Sequence, residues 1–349
     1  MNTLISISGR SSISADSSGM SVHRISALPV VVIAPHNQCN CRCVMCDIWR
    51  IKESQELTPA DLDRQMDSFR ELGVRWAVFT GGEPQLNPKL FTLARMLREE
   101  GIRVTLLTAG LLLAPQAQEI TGTIDDVIVS LDGPPAVHNH IRRVPDAFER
   151  IAAGVKELRR LRPNIEICAR CTVQKENHRQ LCAIVTAAKQ VELNSISFLA
   201  ADLTSSAFNR PDGWPPDRQE RVALNTEEVA ALNTEIENLI RLHKNETDSR
   251  FVVESADKLR RIVHHFRAHL GLAEHVAPRC NAPWVSAVVE ASGDVRPCFF
   301  HPAIGNTHQG TLQEIVNGPA ALRFRATLDV ATNPVCRSCV CSLHVPREH

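Results

Sequence analysis

Three cysteines near the start of the chain, Cys39, Cys43 and Cys46, have a spacing suited to a metal cluster. They are separated by three and then by two residues, so one short loop can direct all three thiolates at a single centre. Three thiolates can bind three irons of a [4Fe-4S] cube and leave the fourth iron without a protein ligand. The spacing therefore predicts an open iron, where a small molecule can bind and react. Cys41 departs from this spacing and is interpreted as a spectator, or as an alternative ligand in a damaged cluster.

Zinc is the alternative metal for this loop. Structural zinc usually takes four ligands, and the loop offers a fourth thiolate only through Cys41. The residues therefore favour iron over zinc at this position.

A second group of cysteines lies near the C-terminus. Cys280 and Cys298 bracket a glycine turn in a C-x12-G-x4-C pattern, and Cys336 and Cys339 add a C-x2-C pair. Four such thiolates suit a zinc ion or an iron-sulfur cluster equally well. Cys341 competes with Cys339 as the fourth ligand; the spacing does not decide between them, and Cys339 is preferred.

Length and composition indicate a globular chain. The 349 residues are 44% apolar, and 39 basic residues balance 39 acidic ones, so no overall field favours nucleic acid or an anionic membrane. The basic run at 258–261 lacks interleaved aromatic residues and is interpreted as a solvated helix face. The early apolar stretch at 27–35 is too short to span a bilayer, and no signal peptide precedes it. We therefore predict a cytoplasmic protein whose clustered cysteines bind metal.

The elements that must position these cysteines alternate between strand and helix. Residues 1–28 are Ser-rich and are predicted to be a disordered leader. The predicted strands are 29–34, 76–79, 104–107, 127–131, 165–173 and 195–199. The predicted helices between them are 58–72, 87–101, 114–120, 146–161 and 178–191. This order predicts a parallel sheet, open or closed into a full or partial barrel, with ligands at the carboxyl ends of the strands.

The remainder of the chain is divided into two parts. Two helices, 226–243 and 255–270, are predicted to form a bridge over 226–275. Residues 276–349, with β-prone segments and the second cysteine group, are predicted to form a small α+β domain. The barrel is assigned to 29–225.

Two further runs follow predicted strands. Gly81, Gly82, Glu83 and Pro84 place a flexible backbone at the end of the second strand, where it can approach a ligand closely. After the fourth strand, the run from Ser130 to Gly133 supplies a hydroxyl and the carboxylate of Asp132, which can bind a ligand or cap the next turn. Further along the chain, Cys168 and Cys171 lie in a predicted strand and should face opposite sides.

Together, the cysteine loop, the glycine run and the serine run, in this order, resemble the radical S-adenosylmethionine (SAM) enzymes over about residues 30–200. The C-terminal cysteines resemble the shortened SPASM or "twitch" extension of that family. The resemblance implies a partial (β/α)6 TIM-like barrel with a small C-terminal twitch/SPASM-like domain. It also implies a [4Fe-4S] cluster whose open iron binds SAM, and an auxiliary [4Fe-4S] cluster held by Cys280, Cys298, Cys336 and Cys339, with Cys341 as the alternative ligand.

The same resemblance assigns SAM contacts. It places the backbone of Gly81 and Gly82 against the methionine amino group, with Glu83 holding the loop and Pro84 fixing its exit. Ser130 and Asp132 are assigned to the ribose or the amino-acid part of SAM. Arg142 is assigned to the SAM carboxylate, with Arg143 as its neighbour and competitor.

The function that follows is reductive cleavage of SAM to a 5'-deoxyadenosyl radical, which abstracts hydrogen from a small-molecule substrate that the auxiliary cluster then oxidises. Flavodoxin or ferredoxin is the implied electron donor. A maturase of a ribosomally made peptide is the alternative, and a non-enzymatic iron-sulfur or zinc protein is the third. Arg170 and Asp202 are candidates for the residue that quenches or deprotonates the substrate radical, but the general base is left unassigned.

Overall fold

A computed structural model of the protein describes residues 23–346. Its centre is a single nine-stranded sheet in the order β6-β5-β4-β3-β2-β1-β7-β8-β9. The strands are β1 (Val30–His36), β2 (Trp76–Gly81), β3 (Arg103–Thr108), β4 (Asp126–Ser130), β5 (Glu166–Val173), β6 (Ser195–Ala200), β7 (Ser286–Val289), β8 (Asp294–Arg296) and β9 (Gly305–Asn306).

Helices follow most of these strands and cover the outside of the sheet. They are α1 (Pro59–Asp63), α2 (Met66–Glu71), α3 (Leu90–Glu99), α4 (Ala117–Thr123), α5 (Pro135–Arg142), α6 (Ala147–Leu161), α7 (Leu181–Gln190), α8 (Pro216–Gln219), α9 (Thr226–Leu242), α10 (Lys244–Asp248), α11 (Ala256–His269), α12 (Ala282–Val285), α13 (Leu312–Val316), α14 (Pro319–Thr327) and α15 (Pro334–Arg337). Within residues 23–346, none of these helices has the length and apolarity needed to cross a membrane.

The first six strands are all parallel, which confirms the predicted α/β barrel-like fold. Each predicted strand overlaps an observed one. The local signals explain the helices: Thr58 and Asp61 form a reciprocal capping box at the start of α1, and α3 buries one apolar stripe that includes Leu93 and Leu97. Parallel strands end at one edge of the sheet, so the loops after β1, β2 and β4 are neighbours there.

The C-terminal segment extends this sheet. β7 pairs in parallel with β1, with Val31 opposite Ala287, and β8 and β9 continue it antiparallel. A strand from the segment 276–349 is therefore hydrogen-bonded directly to the first barrel strand. The boundary at 276 stays a prediction, but the sheet is continuous across it.

The predicted leader needs a correction at its end. Residues 1–22 lie outside the described residues, but 23–28 are packed against the rest of the protein. The backbone N–H and C=O of Ile25 both bond the Asn317 side chain, at 2.9 and 3.0 Å, and Leu28 is fully buried. Apolar burial and paired backbone groups order this short segment, which its Ser-rich surroundings conceal.

The predicted helical bridge lies against the free edge of the barrel. α9 packs on α7, and α11 packs on both α9 and β6. Just before α11, Val252 forms an isolated parallel bridge with Ile196 of β6. The segment 226–275 therefore covers the edge strand, which would otherwise expose unpaired backbone groups.

Candidate functional site

The loop that carries Cys39, Cys43 and Cys46 leaves the carboxyl end of β1 and is clamped from two sides. On one side, its Val44 N–H donates to the Ile141 carbonyl at the end of α5, at 3.0 Å. On the other, the Arg218 guanidinium donates to the Val44 carbonyl at 2.6 Å. Neither α5 nor α8, which contains Arg218, was predicted from the sequence, and both fix this loop.

Each of the three predicted cluster ligands has a hydrogen-bond donor directed at its sulfur. The Cys41 N–H lies 3.4 Å from Cys39 Sγ, the Ile48 N–H lies 3.5 Å from Cys46 Sγ, and Arg142 Nη1 lies 3.5 Å from Cys43 Sγ. Donors of this kind stabilise thiolates and tune iron-sulfur clusters. The donor set therefore fits an iron-sulfur cluster.

The thiols of this loop differ in their environments. The pKa of Cys43 is lowered to about 7 by a hydrogen bond from Cys41, with Arg142 adding to the effect, and burial raises the pKa of Cys46 to about 12. Cys41 is 1% exposed and packs with Ala109. Hydrogen bonds to Cys39 and Cys43, together with burial, raise the pKa of Cys41 far above its ordinary value. The burial of Cys41 and its packing with Ala109 support the spectator interpretation.

The glycine run lies directly against the cysteine loop. Gly81 has φ +108°, and a Cβ on Gly82 would lie 2.1 Å from the Gln38 carbonyl oxygen. The Glu83 N–H donates to that same carbonyl at 2.8 Å. The close approach of the two backbones explains why glycine is required here.

Glu83 holds this loop from below. Its buried carboxylate accepts hydrogen bonds from Gln85 N–H at 3.1 Å, Thr108 Oγ at 2.9 Å and Ala109 N–H at 2.8 Å. Burial raises the pKa of Glu83, although these hydrogen bonds act to lower it. The side chain thus ties the end of β2 to the end of β3, while the SAM contacts of residues Gly81 to Pro84 stay a prediction.

Asp132 and Arg142 pair with each other, and the SAM contacts assigned to them by sequence stay a prediction. Asp132 is 0% exposed; its Oδ1 accepts the Thr172 N–H at 2.9 Å, and its Oδ2 lies 2.5 Å from Arg142 Nη2. The carboxylate is therefore held by two internal partners, one on β5 and one at the end of α5. Ser130, in contrast, pairs in register with Arg170 on the next strand. The geometry favours positioning roles for Asp132 and Arg142.

The C-terminal cysteines come together in a second group. His301 Nε2 lies 3.4 Å from Cys336 Sγ, and the Ala282 N–H lies 3.5 Å from Cys280 Sγ. Burial, then the nearby thiols of Cys280 and Cys336, raise the pKa of Cys298 to about 12. Burial and neighbouring thiols, including Cys298 and Cys280, also raise the pKa of Cys339. Cys341 also acts on the Cys339 thiol, and the assignment of Cys280, Cys298, Cys336 and Cys339 to an auxiliary cluster stays a prediction.

Cys341 has different neighbours. The charged groups that act most on its thiol are Arg170 and Asp202 of the barrel, and it lines the barrel cavity. Cys280 also acts on this thiol, and the Cys341 carbonyl accepts a hydrogen bond from the Cys339 thiol at 3.1 Å, so the preference for Cys339 as the fourth ligand stays a prediction. In the described part of the chain, no three His, Cys, Asp or Glu side chains are arranged to hold a single ion. The cysteines of a [4Fe-4S] cube lie farther apart than the ligands of a single ion, because each cysteine binds a different iron.

A cavity of about 230 Å³ lies inside the barrel, between β4, β5 and β6, α11 and the C-terminal segment. Its lining includes Arg170, Glu254, Lys258 and Cys341. Cys168 also faces it, whereas Cys171 is fully buried on the other side of β5, as predicted. Glu254 precedes α11 and accepts the Phe198 N–H at 2.8 Å. Burial raises the pKa of Glu254 to about 7.

Sequence reasoning missed Glu254 because its contact with β6 joins segments distant in sequence. Only the capping serine that follows it, Ser255, gave a local signal, and that signal marks a helix start. The cavity thus brings together Arg170, which the sequence singled out, and Glu254, which it did not. Asp202, the other sequence candidate, is buried in an ion pair with Arg210 at 3.1 Å.

Comparison with protein families gives two matches. The model described as "Radical SAM superfamily" matches residues 33–187, and the model described as "Iron-sulfur cluster-binding domain", SPASM, matches residues 280–340. These ranges contain all the cysteines predicted to bind the two clusters.

Curated relatives match only part of their length. An AdoMet-dependent heme synthase of Methanosarcina barkeri is 32% identical over 165 residues, which are 46% of this chain and 46% of that protein. An Fe-coproporphyrin III synthase of the same organism is 29% identical over 49% of this chain and 43% of its own length. A probable GTP 3',8-cyclase of Thermococcus kodakarensis is 30% identical over 34% of this chain and 40% of its own length. The chain spans less than half the length of these relatives.

Solved structures share the fold over most of the chain. Streptococcus suis SuiB bound to its precursor peptide SuiA has a TM-score of 0.65 at 14% identity, covering 97% of this chain and 80% of that one. SuiB bound to S-adenosylmethionine has a TM-score of 0.63 at 14% identity, covering 93% of this chain and 75% of that one. Native anSMEcpe with bound AdoMet has a TM-score of 0.61 at 18% identity, covering 87% of this chain and 84% of that one. At these identities the likeness shows the fold alone.

Proposed function

We propose, from the premise that this chain belongs to the radical SAM proteins and carries a C-terminal SPASM iron-sulfur domain, that it cleaves SAM reductively and oxidises a small-molecule substrate in its barrel cavity. When bound, the open cluster and SAM supply the radical chemistry, and the auxiliary cluster supplies an electron acceptor. The protein supplies ligands, orientation and a closed cavity.

The observation that carries the proposal is the set of donors on the cysteine loop. Cys39, Cys43 and Cys46 would hold the first cluster, because each sulfur has an N–H group directed at it. Cys41, the fourth thiol of the loop, is buried and packs with Ala109, and we leave it outside the ligand set. One iron would be left for SAM, whose amino group we place near the Gly81 and Gly82 backbone.

The barrel cavity supports substrate oxidation. Its wall contains Cys339, a proposed auxiliary ligand, together with Cys341, and Arg170 lies at the level of Ser130 on the adjacent strand. A molecule in this cavity would lie between the loops that follow the strands and the auxiliary site. Its position suits transfer of an electron from substrate to the auxiliary cluster.

The cavity volume supports a small substrate. About 230 Å³ is below the 300–1,000 Å³ of common ligand sites, and a tetrapyrrole macrocycle would not fit without rearrangement. A peptide maturase is the alternative, since SuiB was solved with its precursor peptide; in that case the cavity would take one side chain. Flavodoxin or ferredoxin as electron donor, a cytoplasmic location and the domain limits at 225 and 275 are part of the same proposal.

Anaerobic reconstitution tests this function. With SAM and dithionite, the native chain should form 5'-deoxyadenosine and contain about eight irons, four in each cluster. Cys43→Ala should form no nucleoside, whereas the matched variant Cys41→Ala should retain both nucleoside formation and iron. A native chain that is fully loaded with iron but forms no 5'-deoxyadenosine would overturn the proposal.

A further inference from the structure

His301 follows Cys298 by three residues and directs its side chain at another cysteine of the C-terminal group. Its Nε2 lies 3.4 Å from Cys336 Sγ, and the residue is only 4% exposed. Its backbone N–H, together with that of Phe300, is directed at Cys298 Sγ. One residue therefore contacts the sulfurs of two of the proposed auxiliary ligands.

The position of the His301 ring is fixed by its neighbours. The ring of Phe324 in α14 packs edge-on against the imidazole, with 4.8 Å between the ring centroids. Arg296 Nη1 of β8 donates to the His301 carbonyl at 3.1 Å, and the same guanidinium pairs with Glu290 at 2.8 Å. Packing on the ring and hydrogen bonding of its backbone leave the side chain little freedom to turn away from Cys336.

The sulfur decides which nitrogen of the His301 ring carries the hydrogen. A neutral imidazole has one N–H donor and one lone pair, on different nitrogens. A cysteine that binds iron does so as a thiolate, and a lone pair on Nε2 would face this negative charge. The tautomer with hydrogen on Nε2 is therefore favoured, and its N–H donates to Cys336 Sγ.

We propose that His301 donates a hydrogen bond to Cys336 Sγ and thereby raises the reduction potential of the auxiliary cluster. The inference rests on the proposed function in taking Cys336 as a ligand of that cluster. Reduction of a [4Fe-4S] cluster adds one negative charge, which an N–H dipole directed at a ligand sulfur stabilises. His301 acts through Cys336 and is a positioning residue. It makes the cluster a better acceptor for the electron that oxidation of the substrate releases.

This role can be separated from packing because the donor belongs to a side chain. The N–H groups directed at Cys280 and Cys298 belong to the backbone, so substitution does not remove them. His301→Phe keeps an aromatic ring and removes the donor, whereas His301→Gln keeps a side-chain N–H. The matched control is His308→Gln, because His308 lies in the same part of the chain but is exposed.

The experiment measures the reduction potential in the full chain carrying Cys43→Ala, which should contain the auxiliary cluster alone. A redox titration followed by electron paramagnetic resonance reports its one-electron couple. His301→Phe should lower the potential, so that the ratio of reduced to oxidised cluster at a fixed solution potential falls about three- to tenfold; a tenfold change corresponds to about 59 mV. His301→Gln should lower the potential less, and His308→Gln should not change it.

Histidine labelled with 15N provides a second measurement in the same sample. We expect a weak hyperfine coupling between the reduced cluster and a ring nitrogen, which His301→Phe removes and His308→Gln retains. A strong coupling, typical of nitrogen bound to iron, would make His301 a ligand and overturn the proposal. The absence of any coupling, or equal potentials with and without the His301 ring, would also overturn it. If His301→Phe does not fold, His301→Gln and the coupling still decide.

Failure of the proposed function gives a different result. If the Cys43→Ala chain binds no [4Fe-4S] cluster, the proposed auxiliary cluster and this inference are overturned together. A cluster whose potential and coupling do not depend on His301 overturns this inference alone. A potential that falls in His301→Phe supports the inference even if the native chain forms no 5'-deoxyadenosine, a result that would overturn the proposed function alone.

Discussion

Arg142 Nη2 lies 2.5 Å from Asp132 Oδ2 at the end of β4, in an ion pair almost without solvent contact. The same guanidinium reaches Cys43 Sγ at 3.5 Å through Nη1. Asp132 is in turn held by the Thr172 N–H of β5. A chain of contacts therefore runs from the centre of the barrel to the predicted cluster, and Arg142 connects the two.

Removing one member of this pair should destabilise the protein strongly. Arg142→Gln or Asp132→Asn leaves the other charge buried without compensation, and we expect a loss of about 3–5 kcal/mol in the free energy of unfolding. The matched variant Arg143→Gln, next to it but exposed, should change stability by less than about 0.5 kcal/mol. Denaturant unfolding under anaerobic conditions measures both. Similar small effects for all three variants would contradict the role of the pair.

Gly82→Ala should prevent assembly of the first cluster. Its Cβ would lie 2.1 Å from the Gln38 carbonyl oxygen, so the backbone of one of the two loops must move. Gly122→Ala is the control, because a Cβ there meets nothing within 4 Å and alanine is the better helix former, by about 1 kcal/mol. Iron content after reconstitution is the measurement: we expect a loss of up to about four irons for Gly82→Ala and none for Gly122→Ala. Full iron content in Gly82→Ala would show that this contact is not required.

The auxiliary site should depend on Cys298 and not on Cys341. Cys298→Ala removes one of four converging thiols and should lower iron content by about four per chain, while the first cluster remains. Cys341→Ala should retain all the iron, since that thiol faces Arg170 and the cavity. Iron analysis with electron paramagnetic resonance of the reduced protein distinguishes the two clusters. Loss of iron in Cys341→Ala would exchange its role with that of Cys339.

Glu254 should make stability depend on pH. Burial raises the pKa of Glu254 from its ordinary value of 4.5 to about 7, so the folded state favours the neutral carboxyl. Below pH 4.5 the acid is neutral in both states and carries no penalty; as pH rises to 7, ionisation increasingly favours unfolding. Relative to Glu254→Gln, the native chain should lose up to about 3 kcal/mol between pH 4.5 and 7, and no more above that. A difference in unfolding free energy that stays constant with pH would contradict this environment.

Local spacing made the cluster ligands predictable. Cys39, Cys43 and Cys46 lie on one loop, so their separation in sequence reports their separation in space. The strands were predictable for a similar reason, because Val- and Ile-rich runs between helical patterns leave few alternatives. The helix α5 is absent from the sequence prediction: two consecutive prolines, Pro134 and Pro135, are typical of a turn, yet Pro135 occupies the first position of α5, where a proline is tolerated.

The features that the sequence did not predict depend on contacts between residues distant in sequence. Thr172 and Arg142 bury the carboxylate of Asp132 through contacts that no residue near it in sequence signals. Ile25 and Leu28 are ordered by contacts with residues near 317 and 72, which a Ser-rich neighbourhood does not predict. The cavity likewise combines β5 with the segment before α11, so Glu254 appears only in the folded chain.

The most direct measurement of the central claim is the hyperfine coupling between the reduced first cluster and SAM labelled with 17O in its carboxylate. The Cys298→Ala variant is the appropriate sample, because it should contain the first cluster alone. We predict a coupling that shows carboxylate oxygen bound to iron, together with a change in the paramagnetic resonance signal on addition of SAM. A fully loaded cluster with no coupling and an unchanged signal would show that its coordination is already complete, and would contradict the account.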